Sequence, residues 1–246
     1  MAEHAKYKVK YDYHTHTSYS HGKGTIAENV RAAASRGLTG VAISDHGPGH
    51  LFYGIDTNKI RSMRDEIEEL RLLYKDMDIF ISVEANIINS DKYLDIGEGD
   101  FKNYDFVIAG YHYGAGKTDS IRNFIHNYCP VGLPGRNKLK LKNTDMAVRA
   151  IYENKIAVLT HPGDKGPFDI EEVAKACAAR GTLLEINENH RGVTLEAIKQ
   201  ASKTDVKFIV CSDAHSPEKV GICDDGIKKA IQAGLDLDRI VNIVKS

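Results

Sequence analysis

A single-domain α/β barrel is the fold this chain predicts, and three observations point to it. Short apolar segments alternate with amphipathic helical ones along the whole length. No Pro/Gly/Ser-rich linker divides the chain, so residues 1–246 read as one domain. Histidines and carboxylates also fall at the C-terminal ends of six of the apolar segments. That pattern makes sense only if those ends meet.

The segments expected as strands are Val9–His14, Gly40–Ser44, Ile79–Val83, Phe106–Tyr111, Ile156–Thr160, Thr182–Ile186 and Lys207–Cys211. Each is short and rich in branched or aromatic residues, as buried parallel strands are. The helices between them carry their own start and stop signals. Thr25-Ile-Ala-Glu28 spells a capping box and Gly37 a helix stop. Ile60, Met63, Ile67, Leu70 and Tyr74 recur at helical spacing on an otherwise charged segment. Asp169 and Glu172 open a helix that ends before Gly181, and Leu195, Ile198 and Ala201 mark the apolar face of the next. Strand–helix repetition implies parallel strands with right-handed crossovers, in an open sheet or a closed barrel.

Composition narrows the setting. The chain has 246 residues, 42% hydrophobic and 27% charged, with a formal net charge of −1. There is no global attraction to nucleic acid or anionic membrane. The first residues lack the apolar core of a secretory signal, and no run reaches the roughly 18 apolar residues of a membrane span. Cys129, Cys177, Cys211 and Cys223 show no CxxC spacing, which argues against disulfides and thiolate zinc sites and for a cytoplasmic protein.

The histidines choose the closure. His14 and His16 end the first strand, His46 the second, Glu84 the third, His112 the fourth and His161 the fifth. Asp213 and His215 follow the seventh, and His21 lies in the loop after the first. Residues i and i+2 of a strand face one way, so His14 with His16, and Asp213 with His215, can each serve one ion. Six strand ends in an open sheet are too widely spread to share a site. In a barrel they converge on one face. Nine donors exceed the needs of one ion, and imidazole with carboxylate suits zinc, manganese or iron.

The ordered motifs His14-Thr-His16, Ser44-Asp-His-Gly47, Val83-Glu-Ala-Asn86, Ala109-Gly-Tyr-His112, Thr160-His-Pro-Gly163, Glu185-Ile-Asn187 and Ser212-Asp-Ala-His215 resemble the PHP (polymerase and histidinol phosphatase) superfamily, above all its YcdX-type phosphatases. The resemblance implies a distorted TIM-like (β/α)7 barrel with two or three divalent ions, zinc first, manganese or iron as alternatives. It implies a first ion on His14, His16, Glu84 and Asp213. A second would share Glu84 and add His112 and His161, and a third would take His21, His46 and His215.

Such a centre predicts hydrolysis of small phosphomonoesters by a metal-bound hydroxide, with Glu84 and Asp213 as the catalytic carboxylates and no protein nucleophile. Ser44, Cys211 and Ser212 read as structural neighbours, and Asp45 as support for His46 or the strand end. Asp45 and His190 are candidates for the general acid. Residues 113–142 carry six Lys or Arg against Asp119 alone, directly after His112. Arg122, with Arg191 and His190, is the expected contact to the phosphate ester. His4, His50 and His126 read as surface or loop residues, and Tyr11, Tyr13, Tyr111 and Tyr113 as ordinary strand residues. Two other readings stay open: a nuclease or phosphodiesterase, and a non-catalytic metal-binding module. Oligomeric state is not legible.

Overall fold

The computed structural model describes residues 3–115, 120–128, 134–190 and 192–245. Seven parallel strands form the central sheet in chain order: β2 (Tyr11–Thr15), β3 (Gly40–Ile43), β4 (Asp78–Asn86), β5 (Phe106–Gly110), β6 (Val158–Leu159), β7 (Leu183–Asn187) and β8 (Phe208–Cys211). Helices α1 (Ile26–Ser35), α2 (Thr57–Leu73), α3 (Ser120–Tyr128), α4 (Arg136–Glu153), α5 (Ile170–Arg180), α6 (Leu195–Ser202) and α7 (Asp224–Gln232) complete the repeat. The result is a distorted (β/α)7 barrel.

The helix signals act as the sequence implies. Thr25 and Glu28 form the reciprocal capping box of α1. Asp169 accepts from the Glu172 N–H to cap α5, which ends on left-handed Gly181. Ile60, Met63, Ile67 and Leu70 of α2 are buried against the sheet.

Alternation along each strand sorts side chains between two cores. Val41, Ile43, Ile79, Ile81, Val83, Val107, Ala109, Leu184, Ile186, Phe208 and Val210 pack outward beneath the helices. Ile108, Val158, Ile209 and Cys211 point inward, with Tyr13, Phe106 and Leu183 packed against them. The barrel interior is therefore filled, as such interiors are.

Closure happens at a seam between β2 and β8, and side chains make much of it. The Asn242 amide donates to Tyr11 O at 2.8 Å and Val210 O at 2.6 Å, and its oxygen accepts from Val210 N. Buried Asp12 accepts from Ser212 N (3.2 Å), Ser212 Oγ (2.5 Å) and Gly221 N (2.7 Å). Burial pushes the Asp12 carboxyl up, against the pull of the Ser212 hydroxyl and these N–H donors. Just beyond the C-terminal end of β8, Ala214 bridges to Thr15 of β2.

Most strand boundaries fall within a residue of expectation, β4 runs on past Val83 to Asn86, and two segments differ more. The first segment is split: β1 (Tyr7–Val9) leaves the barrel and pairs antiparallel with β9 (Ile243–Lys245). A partner more than 230 residues away leaves no local signal. Strand β6 spans two residues rather than Ile156–Thr160, although Ala157 N and Thr160 N still donate to Val107 O and Ala109 O of β5 at 2.8 Å.

Candidate metal centre

The strand ends do converge. His14, His16, His46, Glu84, His112, His161 and Asp213 are all buried, and His21 and His215 border the same cavity of about 370 Å³. Three local devices bring them there.

The register of β2 against β3 shifts between Asp12 and Thr15. Tyr13 already faces the interior cluster, so strict alternation would next turn Thr15 inward. The bulge changes the phase and delivers His14 and His16 instead. His161 and Asp213 use backbone strain: with Tyr93, they are the non-glycine residues of positive φ among the described residues, at +27° and +50°. Such conformations cost roughly 1–3 kcal/mol each and concentrate at functional sites. The third device is an absence of side chain. A Cβ on Gly110 would lie 2.3 Å from Thr160 Oγ1 and 2.9 Å from Glu84 Oε1. Glycine there makes room for the Glu84 carboxylate.

Glu84 sits between histidines on two sides. Its Oε1 is 2.9 Å from His161 Nε2 and 3.2 Å from His112 Nε2, and its Oε2 is 3.1 Å from His46 Nδ1 and 3.4 Å from His14 Nε2. Asp213 Oδ1 approaches His16 Nε2 at 3.2 Å and His14 Nε2 at 3.5 Å. His14 Nε2 and His16 Nε2 face one another at 3.1 Å, and His21 Nε2 and His215 Nε2 at 2.6 Å.

Four groups of donor atoms, each within 4.8 Å of one another, result: His14–His16–Asp213, His46–Glu84–His112, His16–His21–His46–His215, and His161–His190–Asp213. They overlap the three sets the resemblance implies. Three additions are His16 beside the third set, His46 beside Glu84 and His112 of the second, and His190 beside His161 and Asp213.

The residues fit metal ions. His16 Nδ1, His21 Nδ1, His46 Nδ1, Glu84 Oε2 and Asp213 Oδ1 are buried and make no hydrogen bond, a costly state for polar atoms unless a cation occupies the space between them. Burial holds His16 well below the usual imidazole range. Burial, with His215 and His46 nearby, lowers His21 to about 3. These rings keep their lone pairs, as metal ligation requires. Burial would raise Glu84 and Asp213, but their histidine neighbours hold both well below the carboxylate range.

Outer partners orient the inner ones. His14 Nδ1 meets Glu185 Oε1 at 2.8 Å, and Glu185 Oε2 accepts from His161 N at 2.7 Å. His112 Nδ1 donates to Asn86 Oδ1 at 2.8 Å, while the Asn86 amide donates to Asp95. Asp45 accepts from Thr17 N and Oγ1 and from Ser20 Oγ, so it supports the loop after β2 rather than His46. Ser44 and Ser212 bond to Tyr13 O and Asp12, and Cys211 is interior. All three are structural.

Several site residues were not legible. His50 and Tyr113, read as a loop and a strand residue, line the cavity with Phe52, Tyr53 and Lys165. His190 enters the site with Asp164 Oδ2 and Asp213 Oδ2 each 2.9 Å from a ring nitrogen. Burial opposes its charge, but the two carboxylates raise it to about 9. Arg122 stands exposed on α3 and is absent from the cavity lining, and Arg191 lies outside the described residues. Among the described residues of the basic excursion, Lys140 is engaged by Asp169 at 2.8 Å and Arg136 donates to His126 O, while Lys117 lies outside the described residues.

The PHP domain family matches residues 12–189, which include most of the donors just described. The chain belongs to the PHP domain family. A relative named a probable phosphatase, from Thermoanaerobacter sp. (strain X514), is 30% identical over 96% of this chain and 91% of its own length. Another, from Caldanaerobacter subterraneus subsp. tengcongensis, is 29% identical over 96% and 88%. Among solved structures, this PHP chain resembles the histidinol phosphate phosphatase of Lactococcus lactis, determined with zinc, L-histidinol and phosphate. The TM-score is 0.61 at 17% identity, over 92% of this chain and 94% of that one. A Listeria monocytogenes protein superposes with a TM-score of 0.68 at 15% identity, over 87% and 98%. At such identities these two likenesses speak for the fold.

Proposed function

We propose that this protein hydrolyses small phosphomonoesters at a centre of two or three divalent cations, zinc first among them. Family membership and full-length relatives make it a phosphoric ester hydrolase. Ester class, ion count and residue roles are our reading. The observation that carries it is the set of buried, unsatisfied donor atoms around Glu84. Bound there, the cations would supply Lewis acidity toward a phosphoryl group and lower the pKa of water.

The chain's own residues would divide the work. His14, His16, Glu84 and Asp213 would hold one ion, Glu84, His112 and His161 a second, and His21, His46 and His215 a third. Glu84 offers its two oxygens to different histidine groups, which suits a bridge. Lys165, paired with Asp164 at 2.7 Å, lines the cavity, and Lys23 and Lys219 line the adjoining one beside His190, Asp213 and His215; these cations would meet a phosphoryl oxygen as point charges. Both ring nitrogens of His190 face carboxylates, and although it stands in one donor group with His161 and Asp213, we read it as held by Asp164 and Asp213. We assign it to the substrate side. No helix among the described residues is long and apolar enough to cross a membrane, consistent with a diffusible ester as partner.

The experiment compares hydrolysis of p-nitrophenyl phosphate and bis-p-nitrophenyl phosphate by native, chelator-treated and His14→Ala protein, with metals counted by elemental analysis. Monoester turnover lost with chelator and restored by zinc or manganese, at two or three ions per chain, supports the reading. Preferential diester turnover replaces it with a phosphodiesterase. A loaded protein that cleaves neither is a binding module.

A further inference from the structure

One wall of the cavity lies outside the four donor groups. Residues 47–54, between β3 and α2, carry His50, Phe52 and Tyr53 into the lining, and Tyr113 joins them from the strand-end segment beside it. The rings of His50, Tyr53 and Phe52 form a continuous series, while Tyr113 meets Phe124 at 5.7 Å. Tyr53 stacks on His21, with centroids 4.4 Å apart and planes at 19°, and His50 stacks on His46 at 4.8 Å and 22°. His50 and Tyr53 lie 5.0 Å apart, and Phe52 follows Tyr53 at 6.2 Å. The series thus leads from the donor histidines out to the mouth. There Leu51 and Phe52 are 73% and 76% exposed. Large apolar side chains grouped this way at the edge of a polar cavity mark a binding surface.

The backbone prevents this wall from collapsing onto itself. His50 bridges antiparallel to Ala115, Leu51 N donates to Gly114 O at 3.1 Å, and Gly49 N donates to Asp95 Oδ2 at 2.8 Å. Gly54 N closes the loop on His50 O at 3.1 Å, and a Cβ on Gly54 would lie 2.7 Å from Pro48 O. The aromatic side chains are therefore held out before anything binds, which lowers the cost of ordering them around a ligand. The rest of the lining is polar, with His190 and Asp213, and with Lys165, whose Nζ lies 5.9 Å from the centroid of the Tyr113 ring. Charge beside rings suits a ligand that is anionic at one end and apolar at the other.

We propose that His50, Phe52, Tyr53 and Tyr113 form a leaving-group subsite that selects phosphomonoesters whose alcohol carries an apolar ring. The proposal rests on the phosphatase reading above. A ring laid on this wall buries apolar surface and meets aromatic faces and edges at stacking distance. A short hydrophilic alcohol gains neither. The expected preference is on the order of ten- to hundredfold in kcat/KM, the span an apolar pocket achieves.

The test pairs 2-phenylethyl phosphate with ethyl phosphate, whose alcohols differ little in acidity, so that the chemical step does not bias the comparison. Native protein and the Phe52→Ala and Phe52→Tyr variants are loaded with zinc and their metal content measured. Affinities for 2-phenylethylphosphonate and ethylphosphonate are read in parallel by calorimetry. The native protein should favour the phenyl member of both pairs. Phe52→Ala should bring both ratios toward unity, mainly by raising KM for the phenylethyl ester, and Phe52→Tyr should keep them. Equal handling of the two esters by native protein, or the same ratio in native and Phe52→Ala protein, overturns the subsite. If fully loaded protein hydrolyses neither ester, the phosphatase reading falls and the phosphonates decide the wall alone. A phenyl preference lost in Phe52→Ala sustains it, and equal affinities end it.

Discussion

At the N-terminal end of the strands the barrel is filled by Tyr13, Phe106, Ile108, Val158 and Ile209, with Phe80 stacked against Tyr13. A few residues further along the same strands it is filled by His14, Glu84, His161, Glu185 and Asp213. Both ends are buried, yet their energetics differ. The apolar end gains from removing surface from water and from close packing. The polar end leaves donor atoms unsatisfied and holds His161 and Asp213 at positive φ, both costs to the fold. The lesson is that one end stabilises the barrel, and the other is stable only because the rest of the barrel and its ions support it.

The contrast can be broken from either side. The largest effect is expected at the polar end, where Glu84→Gln removes a carboxylate that faces five histidines. Turnover should fall by more than the roughly 10–100-fold that loss of a mere supporting partner costs. Elemental analysis should show fewer ions per chain while far-ultraviolet circular dichroism is retained. Full metal content and activity would remove Glu84 from the centre.

The mirror experiment is Ile108→Ala, which empties space at the packed end. Denaturant titration should show a loss of about 2–5 kcal/mol, with the folded fraction keeping its ions and kcat. An equal fall in metal content at low denaturant would mean that the two ends are not separable.

Next comes Glu185→Gln, which keeps shape but weakens the acceptor at His14 Nδ1 and His161 N. Metal affinity or activity should drop roughly 10–100-fold with little change in thermal midpoint. The smallest effect is expected at the seam. Asn242→Ala strands backbone groups of Tyr11 and Val210, at about 1–3 kcal/mol. At this chain length that is a fall of a few degrees in Tm, and zinc content should not follow it.

Much of this molecule is readable without coordinates, and the parts that are not share a cause. The capping box of Thr25 and Glu28, the stripe of α2 and the stop at Gly181 are local, so their signals sit within one or two turns of chain. The donors His14, His16, His46, Glu84, His112, His161 and Asp213 stand out because each follows an apolar segment, and one topological rule brings such positions together. His50 and Tyr53 carry no such mark. They reach the cavity because residues 47–54 are pinned to Ala115 and Asp95, contacts between segments more than 40 residues apart. Lys140, one of the basic residues that follow His112, is likewise placed by a distant partner, Asp169.

By itself, then, the order of residues determined the repeat of strand and helix, the face on which the donors gather, and the chemistry those donors favour. Tertiary structure decided the rest. It set the phase change in β2 that turns both histidines inward, the glycine gap that seats Glu84, the Asn242 and Asp12 seam that closes the barrel, and the aromatic wall across the mouth. Periodicity and caps are properties of neighbours in the chain. A bulge, a seam and a wall are agreements between distant segments, and only the folded barrel brings those segments within reach of one another.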